Sequence, residues 1–229
     1  QLKRPSGRTP IEFKGLSKSY GDLQVFENFE SLISRGDKVA VMGRNGAGKT
    51  TLLRSLLVNA PVMASHGEDT FEIDSGNVIW GHETSVGYFA QDHSETIEHG
   101  MDCINWLHQY DSQASNEELR GLLGQMLFSG EDALKPTKAL SGGEAARLIF
   151  CRLMLLKPNV LIFDEPTNHL DLESISALNQ AIQKFEGTVI FVTHDEDLLD
   201  ESATRIWNVV DGKIQDYKGP YAEFISQQK

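Results

Sequence analysis

The sequence predicts an α/β fold with a parallel core sheet, an antiparallel β accessory subdomain and a helical subdomain. Two observations predict the parallel core. Short apolar runs that fit buried strands occur at residues 38–42, 160–163 and 188–193. Each run leads into a polar or glycine-rich turn and then into helix-forming sequence. This alternation is typical of parallel strands joined by crossover helices, which bind ligands at the carboxyl ends of their strands.

Four further apolar segments predict the antiparallel accessory sheet. They lie at residues 11–13, 25–33, 77–80 and 86–90. Near the other end of the chain, predicted strands at residues 205–210 and 213–217 flank Asp211 and Gly212, a dipeptide that strongly favours a two-residue hairpin turn. The sequence therefore predicts antiparallel pairing in both regions.

Helical periodicity dominates residues 102–135. The apolar face, with spacing i, i+3, i+4, i+7 and i+8, consists of Leu119, Leu122, Leu123, Met126 and Leu127. Another helix is predicted to begin near Leu172, with Asp171 as its N-cap and Gly187 beyond its end. The apolar face of that helix consists of Leu172, Ile175, Leu178, Ile182 and Phe185.

The composition is that of an ordinary globular protein. Hydrophobic residues make up 40% of the 229 residues and charged residues 24%. No apolar run approaches the roughly 18–20 residues that span a bilayer. Cys103 and Cys151 lie far apart without metal-ligand spacing, which is typical of reduced thiols in an intracellular protein. We expect a cytoplasmic protein without a signal peptide and, because the chain begins at Gln1, a fragment of a longer one.

The net charge of −12 arises in one part of the chain. Between Arg54 and Arg120 there is no lysine or arginine, whereas 12 acidic residues occur there and account for the whole excess. An acidic surface repels nucleic acids, so any contact with RNA has to be local. The best candidate for such a contact is the basic N-terminal segment. It contains Lys3, Arg4, Arg8, Lys14 and Lys18.

A phosphate-binding motif lies between a predicted strand and a predicted helix. Residues 43–51 read GRNGAGKTT, which matches G-x-x-x-x-G-K-[ST]. Glycines allow the backbone to wrap a phosphate with its N–H groups pointing inward, and the following helix adds the positive end of its dipole. We expect Lys49 to reach the β- and γ-phosphates of ATP and Thr50 to ligate Mg²⁺. The residues predicted to bind the nucleotide here are Gly43, Asn45, Gly46, Gly48, Lys49, Thr50 and Thr51.

A pair of carboxylates follows the apolar run at residues 160–163. A buried strand would fix Asp164 where it can hold Mg²⁺, directly or through water. Glu165 points elsewhere and is the candidate general base for the attacking water. An apolar run that ends in Asp-Glu is about as often a solvated strand end, and only the combination with the phosphate-binding motif favours a site.

The string LSGGE at residues 140–144 indicates a protein family. It lies about ninety residues after the phosphate-binding motif and shortly before the carboxylate pair, an order that resembles the nucleotide-binding domains of ATP-binding-cassette (ABC) proteins over nearly the whole chain. The resemblance implies an ABC-type P-loop NTPase with ATPase activity. It also implies that Ser141, Gly142 and Gly143 begin a helix and contact the γ-phosphate of a nucleotide held by an opposite domain.

The same resemblance assigns four other residues. Gln91, in GYFAQD, resembles the glutamine that senses Mg²⁺ and the attacking water. His194 resembles the histidine that contacts the γ-phosphate, and Asp171 the aspartate that couples the two sites of a domain pair. Tyr20 lies where the family keeps an aromatic residue that stacks on adenine. The alternative for Tyr20 is a ring buried in the accessory sheet.

Two further motifs indicate a branch of the family. Residues 164–171 read DEPTNHLD, and Asn168-His169 is similar to ABC-F proteins, soluble tandem-cassette ATPases that mostly act on ribosomes in translation. The tail YKGPYAEF also resembles ABC-F proteins through Tyr217, Gly219, Tyr221 and Phe224. The resemblance implies the second, C-terminal cassette of a bacterial, YbiT-like ABC-F protein. Residues 1–10 would end a basic interdomain linker, residues 11–229 would form the nucleotide-binding domain and about 102–140 its helical subdomain.

Several alternatives remain open from the sequence. The cassette could be the motor subunit of an ABC membrane transporter or, without sustained heptads to support it, a DNA-repair cassette. Residues 59–71 are longer than the family pattern, and His66, Glu68 and Asp69 there form either a metal site or, as is commoner, a cluster of surface acids. The expected partners are a second ABC domain bound head to tail, in the same chain or as a homodimer, and the ribosome through the full-length protein.

Overall fold

The structure, a computed structural model, describes residues 4–63, 71–91, 97–98, 100–168 and 170–228. The strands in these ranges are β1 (Ile11–Tyr20), β2 (Leu23–Ile33), β3 (Lys38–Gly43), β4 (Ser75–Trp80), β5 (Val86–Phe89), β6 (Val160–Asp164), β7 (Thr188–Val192), β8 (Arg205–Val210) and β9 (Lys213–Tyr217). The α-helices are α1 (Lys49–Leu56), α2 (Cys103–His108), α3 (Asn116–Gln125), α4 (Gly142–Leu156), α5 (Leu172–Lys184), α6 (Glu196–Ser202) and α7 (Tyr221–Gln227). Short 3₁₀ helices occur at Asp132–Leu134 and Thr137–Ala139.

Two sheets organise the chain, as the sequence predicts. The core sheet has the order β5-β6-β7-β3-β8-β9, in which β5 through β8 are parallel and the β8–β9 hairpin is antiparallel. The accessory sheet is antiparallel with the order β2-β1-β4. The hairpin turn is confirmed at Asp211 and Gly212, whose φ angles of 48° and 71° are those that a two-residue turn of this kind requires.

The accessory sheet and α1 cover one face of the core sheet, and the apolar core on the other face is shared with helices α2 to α7. On the first face, Trp207 of β8 packs edge-on against Phe29 of β2 and Phe13 of β1, with ring centroids 5.0 and 5.7 Å apart. On the second face, Phe89 of β5 stacks on Phe150 of α4 at 4.6 Å. Because apolar side chains cover both faces, the strands that end at the candidate site are held rigidly.

The prediction that residues 86–90 belong to the accessory sheet is wrong. β5 pairs in parallel with β6 at the edge of the core sheet. Val86 and Phe89 are buried at 0% and 2% exposure, as expected for a strand covered on both faces. Gly87 allows close packing, since a Cβ there would lie 2.8 Å from Pro158 and 2.9 Å from Leu153. A four-residue apolar run does not specify which of two sheets it joins.

The apolar face predicted for the central helix is correct except at its end. Leu119, Leu123 and Met126 are buried, but α3 ends at Gln125 and Leu127 is 37% exposed with a φ of 62°. The N–H of Phe128 donates to the carbonyl of Leu123 at 3.0 Å, which closes the helix with a Schellman motif. As a result, Leu127 points outward and Phe128 is buried in the core.

The helix predicted near Leu172 forms, with Asp171 as its N-cap accepting from the Ser174 N–H at 2.8 Å. The inclusion of Leu172 in its apolar face is wrong, because that side chain is 86% exposed. The buried side of α5 runs through Ser174, Leu178 and Ile182. Leu172 precedes Ser174 by two positions, about 200° around the helix, and therefore faces away from the core.

Some predictions concern residues outside the described ranges. Lys3, His66, Glu68, Asp69 and His169 lie there, so the insertion in residues 59–71 stays untested as a metal site. Among the described residues, no group of three or more His, Cys, Asp or Glu side chains is placed to hold a metal ion. Across the same ranges, no helix has both the length and the apolar character that crossing a membrane requires. The domain boundaries also stay predictions.

Candidate functional site

The glycine-rich loop joins the end of β3 to the start of α1, at the carboxyl edge of the core sheet. Gly43, Gly46 and Gly48 have φ angles of 148°, 78° and 98°, which side-chain-bearing residues rarely adopt. A Cβ on Gly43 would lie 2.7 Å from the carbonyl oxygen of Val209, and one on Gly48 would overlap Cγ1 of Val25. Glycine is therefore required at both positions to bring the backbone close to its neighbours.

Lys49 is held in the middle of this loop. Its side chain is buried, and its Nζ donates to the carbonyl oxygens of Gly43 at 3.0 Å and Arg44 at 3.2 Å. The ammonium group thus lies beside the backbone that would wrap a phosphate. It is a positive charge in a largely enclosed position, where its attraction to an anion is weakly screened.

Thr50 and Asp164 meet beside the loop. The Thr50 hydroxyl donates to Oδ1 of Asp164 at 3.2 Å, and Asp164 is fully buried at the end of β6. Burial raises the pKa of the Asp164 carboxyl, and the charge of Glu165 adds to the effect. Oδ2 of Asp164 is buried without a hydrogen-bond partner among the described residues. A hydroxyl and an orphaned carboxylate oxygen are hard donors that fit Mg²⁺, a cation that completes its shell with water and substrate phosphates.

The Glu165 carboxylate accepts hydrogen bonds from two side chains and lies close to a third. Its Oε2 receives the Gln91 Nε2 at 3.2 Å and the Asn168 Nδ2 at 2.6 Å, while Oε1 lies 3.6 Å from His194 Nε2. The structure thus brings together Gln91 after β5, Glu165 after β6 and His194 after β7. Sequence reasoning did not predict that the Asn168 side chain contacts Glu165.

These groups share one cleft of about 550 Å³. It is lined by Asn45, Gly46, Gly48, Lys49, Thr50, Thr51, Gln91, Glu165 and His194. The cleft therefore combines an anion-binding loop, the Thr50 hydroxyl that contacts the buried Asp164, and the Glu165 carboxylate, which together are the groups that phosphoryl transfer to water requires.

Tyr20 borders a neighbouring pocket of about 600 Å³ that continues along the glycine-rich loop. The ring is 57% exposed, so Tyr20 is not a residue that fills the accessory sheet. Lys18 Nζ lies 5.3 Å from its centroid. The opposite wall includes Asp211 and Gly212 of the hairpin, and the Gly212 carbonyl accepts from the Glu27 N–H at 3.1 Å. Sequence reasoning missed this wall, because the hairpin is nearly two hundred residues from Tyr20 along the chain.

The LSGGE segment forms a separate surface. Ser141 is the N-cap of α4 in a capping box, with its Oγ accepting from the Glu144 N–H at 3.3 Å and its N–H donating to Glu144 Oε2 at 2.7 Å. The adjoining pocket, about 380 Å³, is lined by Ser141, Gly142, Gly143, Glu144, Arg147, Leu170, Asp171 and Ser174. It shares no lining residue with the cleft around Lys49. Within one chain, Ser141 to Gly143 and Asp171 are thus not brought to the phosphate-binding loop.

The fold and the two surfaces together define an ATP-binding-cassette ATPase domain. The family model described as ABC transporter matches residues 26–168, and the chain belongs to this family. The fold also matches that of the dimeric ATP-binding cassette MJ0796, whose structure is of a post-hydrolysis state bound to ADP and Pi. That comparison has a TM-score of 0.71 at 22% identity and covers 91% of this chain and 98% of that one.

Curated relatives share more of the sequence. The chain is 40% identical over 219 residues to the probable ATP-binding protein YbiT of Escherichia coli O157:H7, which covers 95% of this chain and 39% of the relative. It is 33% identical over 224 residues to ABC transporter F family member 5 of Arabidopsis thaliana, covering 97% of this chain and 31% of the relative. The chain thus spans less than half the length of these relatives and resembles ABC-F ATPases in sequence.

Proposed function

We propose that this chain binds and hydrolyses ATP as one cassette of a YbiT-like ABC-F protein, in its C-terminal half, and that closure on a second cassette serves a ribosome-associated step of translation. The observation that carries the ATPase part is the convergence of Gln91, Glu165 and His194 on the cleft beside Lys49 and Thr50. Three strands of one sheet end at the same place with the groups that phosphoryl transfer needs.

In this proposal ATP lies along the two connected pockets. Adenine stacks on the exposed ring of Tyr20, and the phosphates lie against the backbone N–H groups of the glycine-rich loop and the start of α1. Lys49 turns from the carbonyls of Gly43 and Arg44 to the β- and γ-phosphates. Asn45, Gly46, Gly48 and Thr51 complete the contact surface.

Mg²⁺ would be held by Thr50 and by Asp164, directly or through water, with Gln91 as a further ligand. When bound, it neutralises charge on the phosphates. Asp164 is fixed for this role because it is the last residue of a fully buried strand.

Glu165 then accepts a proton from the attacking water as general base. Lys49 and His194 stabilise the charge on the phosphoryl group as it moves in line from ADP to water. Glu165 lines the cleft and 18% of its side chain is exposed, so a water in the cleft can reach the carboxylate.

The second surface supplies the other half of a neighbouring site. Ser141 exposes a helix N-terminus with Gly142 and Gly143, which attracts the γ-phosphate of a nucleotide held by an opposite cassette. Asp171, which caps α5 on the same surface, couples the two sites. Head-to-tail pairing follows, because each chain presents both surfaces on separate sides.

The ABC-F part rests on sequence similarity to the relatives and on local motifs. The local motifs are Asn168 and the C-terminal tail. Within the tail, the ring centroids of Tyr217 and Phe224 lie 5.7 Å apart. The basic N-terminal segment offers Arg4 for contact with RNA, since 78% of its side chain is exposed and its pair with Glu83, at 3.8 Å, is loose. Lys18 is less available, since it pairs with Asp74 at 3.2 Å. Most of the ribosome contact would therefore come from the rest of a longer, cytoplasmic protein.

The ATPase proposal is tested by comparing Glu165→Gln with a matched control, Glu118→Gln, at an exposed position on α3. Glu165→Gln is expected to bind ATP normally but to turn over roughly 10²–10⁴-fold more slowly, the usual effect of losing a general base. Glu118→Gln keeps the wild-type rate. Ready turnover by Glu165→Gln would remove Glu165 from this role, and unchanged ATP affinity of Lys49→Ala would count against the phosphate-binding loop.

The translation proposal is tested with the full-length protein that contains this chain, carrying Glu165→Gln and its counterpart in the other cassette. It is expected to co-sediment with ribosomes in ATP but not in ADP. Intact ATP binding without co-sedimentation refutes the ribosome role and leaves the ATPase in place. Co-purification with a membrane protein would instead favour the motor subunit of an ABC transporter.

A further inference from the structure

A tight turn follows the strand that carries Asp164. The N–H of Asn168 donates to the carbonyl of Glu165 at 3.2 Å, which closes a four-residue turn with Pro166 in its second position, where proline is favoured. Outside contacts fix the turn. The Glu165 N–H donates to the Val192 carbonyl at 3.0 Å, and the hydroxyls of Thr167 and Thr193 lie 3.4 Å apart.

This turn folds the Asn168 side chain back onto the Glu165 side chain. The distance from Asn168 Nδ2 to Glu165 Oε2 is 2.6 Å, shorter than the 3.2 Å from Gln91 Nε2 to the same oxygen. Glu165 itself has a φ of 51°, an uncommon value for a residue of its size. The carboxylate is thus aimed by an unusual backbone conformation and held at one oxygen by two amide donors, while Oε1 lies toward His194.

We propose that Asn168 is a positioning residue for Glu165. Its amide holds Oε2 and thereby keeps Oε1 directed to the water that attacks the γ-phosphate. The proposal rests on the proposed function, since it gives Glu165 the role of general base. Precise orientation of such a group matters because a displacement of about 1 Å can cost roughly 10²-fold in rate. Gln91 is the weaker of the two donors by distance and belongs to a separate segment, so it does not replace Asn168.

The test separates hydrogen bonding from turn formation. Asn168→Asp keeps the shape and the turn preference of asparagine but replaces the donor with an oxygen that repels the carboxylate. Asn168→Ala removes the donor without adding a charge. We expect both variants to lower kcat roughly 10- to 100-fold, the effect of losing a hydrogen bond to a charged group, with KM for ATP within about twofold of wild type.

Asn77 on β4, exposed and far from the cleft, gives the matched control pair. Asn77→Asp and Asn77→Ala are expected to keep the wild-type kcat. In the Glu165→Gln background, the Asn168 substitutions are expected to change the residual rate by less than about twofold, because the two residues act through one group. A wild-type kcat in Asn168→Asp, with Glu165-dependent hydrolysis intact, would overturn the positioning role and leave the ATPase proposal standing.

An NMR measurement that needs no ATP turnover separates the positioning role of Asn168 from the proposed ATPase function. In the ¹H–¹⁵N spectrum of the chain, the Asn168 side-chain amide, assigned by its loss in Asn168→Ala, is expected to shift on Glu165→Gln. If the full-length protein that contains this chain shows no Glu165-dependent hydrolysis, the proposed function fails. A shifted amide then still supports the contact that positions Glu165, and an unmoved amide overturns it.

Discussion

A buried ion network fastens the accessory sheet to the core sheet, and its removal gives a measurable prediction. Arg205, at 4% exposure, donates from Nε and Nη2 to the two carboxylate oxygens of Asp216, at 2.7 and 2.5 Å. Its Nη1 donates to Asp37 at 3.1 Å and to the Leu32 carbonyl at 2.8 Å. Nη2 also reaches the Ser31 hydroxyl at 2.7 Å. One guanidinium thus joins β2, β8, β9 and the segment before β3.

We expect Asp216→Ala to destabilise the chain strongly. The substitution removes both bonds of the bidentate pair and leaves a buried positive charge with Asp37 as its remaining carboxylate. Breaking a buried pair from one side typically costs about 3–5 kcal/mol, and the Asp37 contact places this variant near the lower limit, about 3 kcal/mol. For a chain of this size, that corresponds to a decrease of roughly 6–12 °C in the melting temperature.

The assay is thermal unfolding followed by circular dichroism, with urea unfolding at fixed temperature as a second measurement. The control is Glu118→Ala, which breaks the 3.8 Å pair with Lys157 between side chains that are about half exposed. We expect no resolvable change in the control, since exposed pairs contribute little. A melting temperature of Asp216→Ala within about 2 °C of wild type would refute the reasoning that the Arg205 charge depends on Asp216.

Two further predictions concern pH and nucleotide affinity. Burial alone would raise the pKa of Asp216, but its hydrogen bonds to Arg205 and Ser31 hold that pKa below its usual value. The stabilisation of the fold by the Asp216 carboxylate is therefore complete above the unfolded pKa of about 3.9 and is lost as pH falls through the lower folded pKa. The urea midpoints of wild type and Asp216→Asn should accordingly converge as pH falls below about 4. Tyr20→Ala should weaken ATP binding roughly 10-fold or more by titration calorimetry, whereas Tyr20→Phe, which keeps the stacking ring, should bind as the wild type does. Equal affinities of Tyr20→Ala and wild type would contradict the assignment of the adenine pocket.

Local sequence patterns were sufficient for most of the fold. The parallel strands, the Asp211-Gly212 hairpin and the Asp171 cap follow from residues within a few positions of one another, whereas the start of α4 at Ser141 was implied by the family resemblance. The errors at Leu127 and Leu172 are local and lie at helix ends, whereas the error at residues 86–90 concerns a long-range choice. β5 joins the core sheet because Gly87 allows it to pack against Pro158 and α4, and nothing within residues 86–90 indicates that neighbour.

The site was predictable to the same extent. Glu165 and His194 follow strands that were predicted to be parallel and share one edge, so their meeting follows from the core sheet itself. Gln91 follows β5, which was predicted in the accessory sheet, so only the family resemblance placed it in the site. Asn168 was visible as part of a motif but not as a partner of Glu165, although the Glu-Pro-x-Asn spacing favours a turn that brings the first and fourth residues together. The wall of the Tyr20 pocket at Asp211 depends on the packing of two sheets and leaves no local signal.

Because the Lys49 cleft and the Ser141 surface lie apart, self-pairing predicts complementation between two inactive variants. Lys49→Ala removes the phosphate-binding group but keeps the LSGGE surface, and Ser141→Arg does the reverse. In a mixed pair, the cleft of the Ser141→Arg chain faces an intact surface of the Lys49→Ala chain. In an equal mixture half of the pairs are mixed and each has one working site of two, so the ATPase rate should recover to about a quarter of wild type. Absence of recovery, at concentrations where the wild-type rate rises with the square of protein concentration, would show that the two surfaces do not complete each other between copies of this chain.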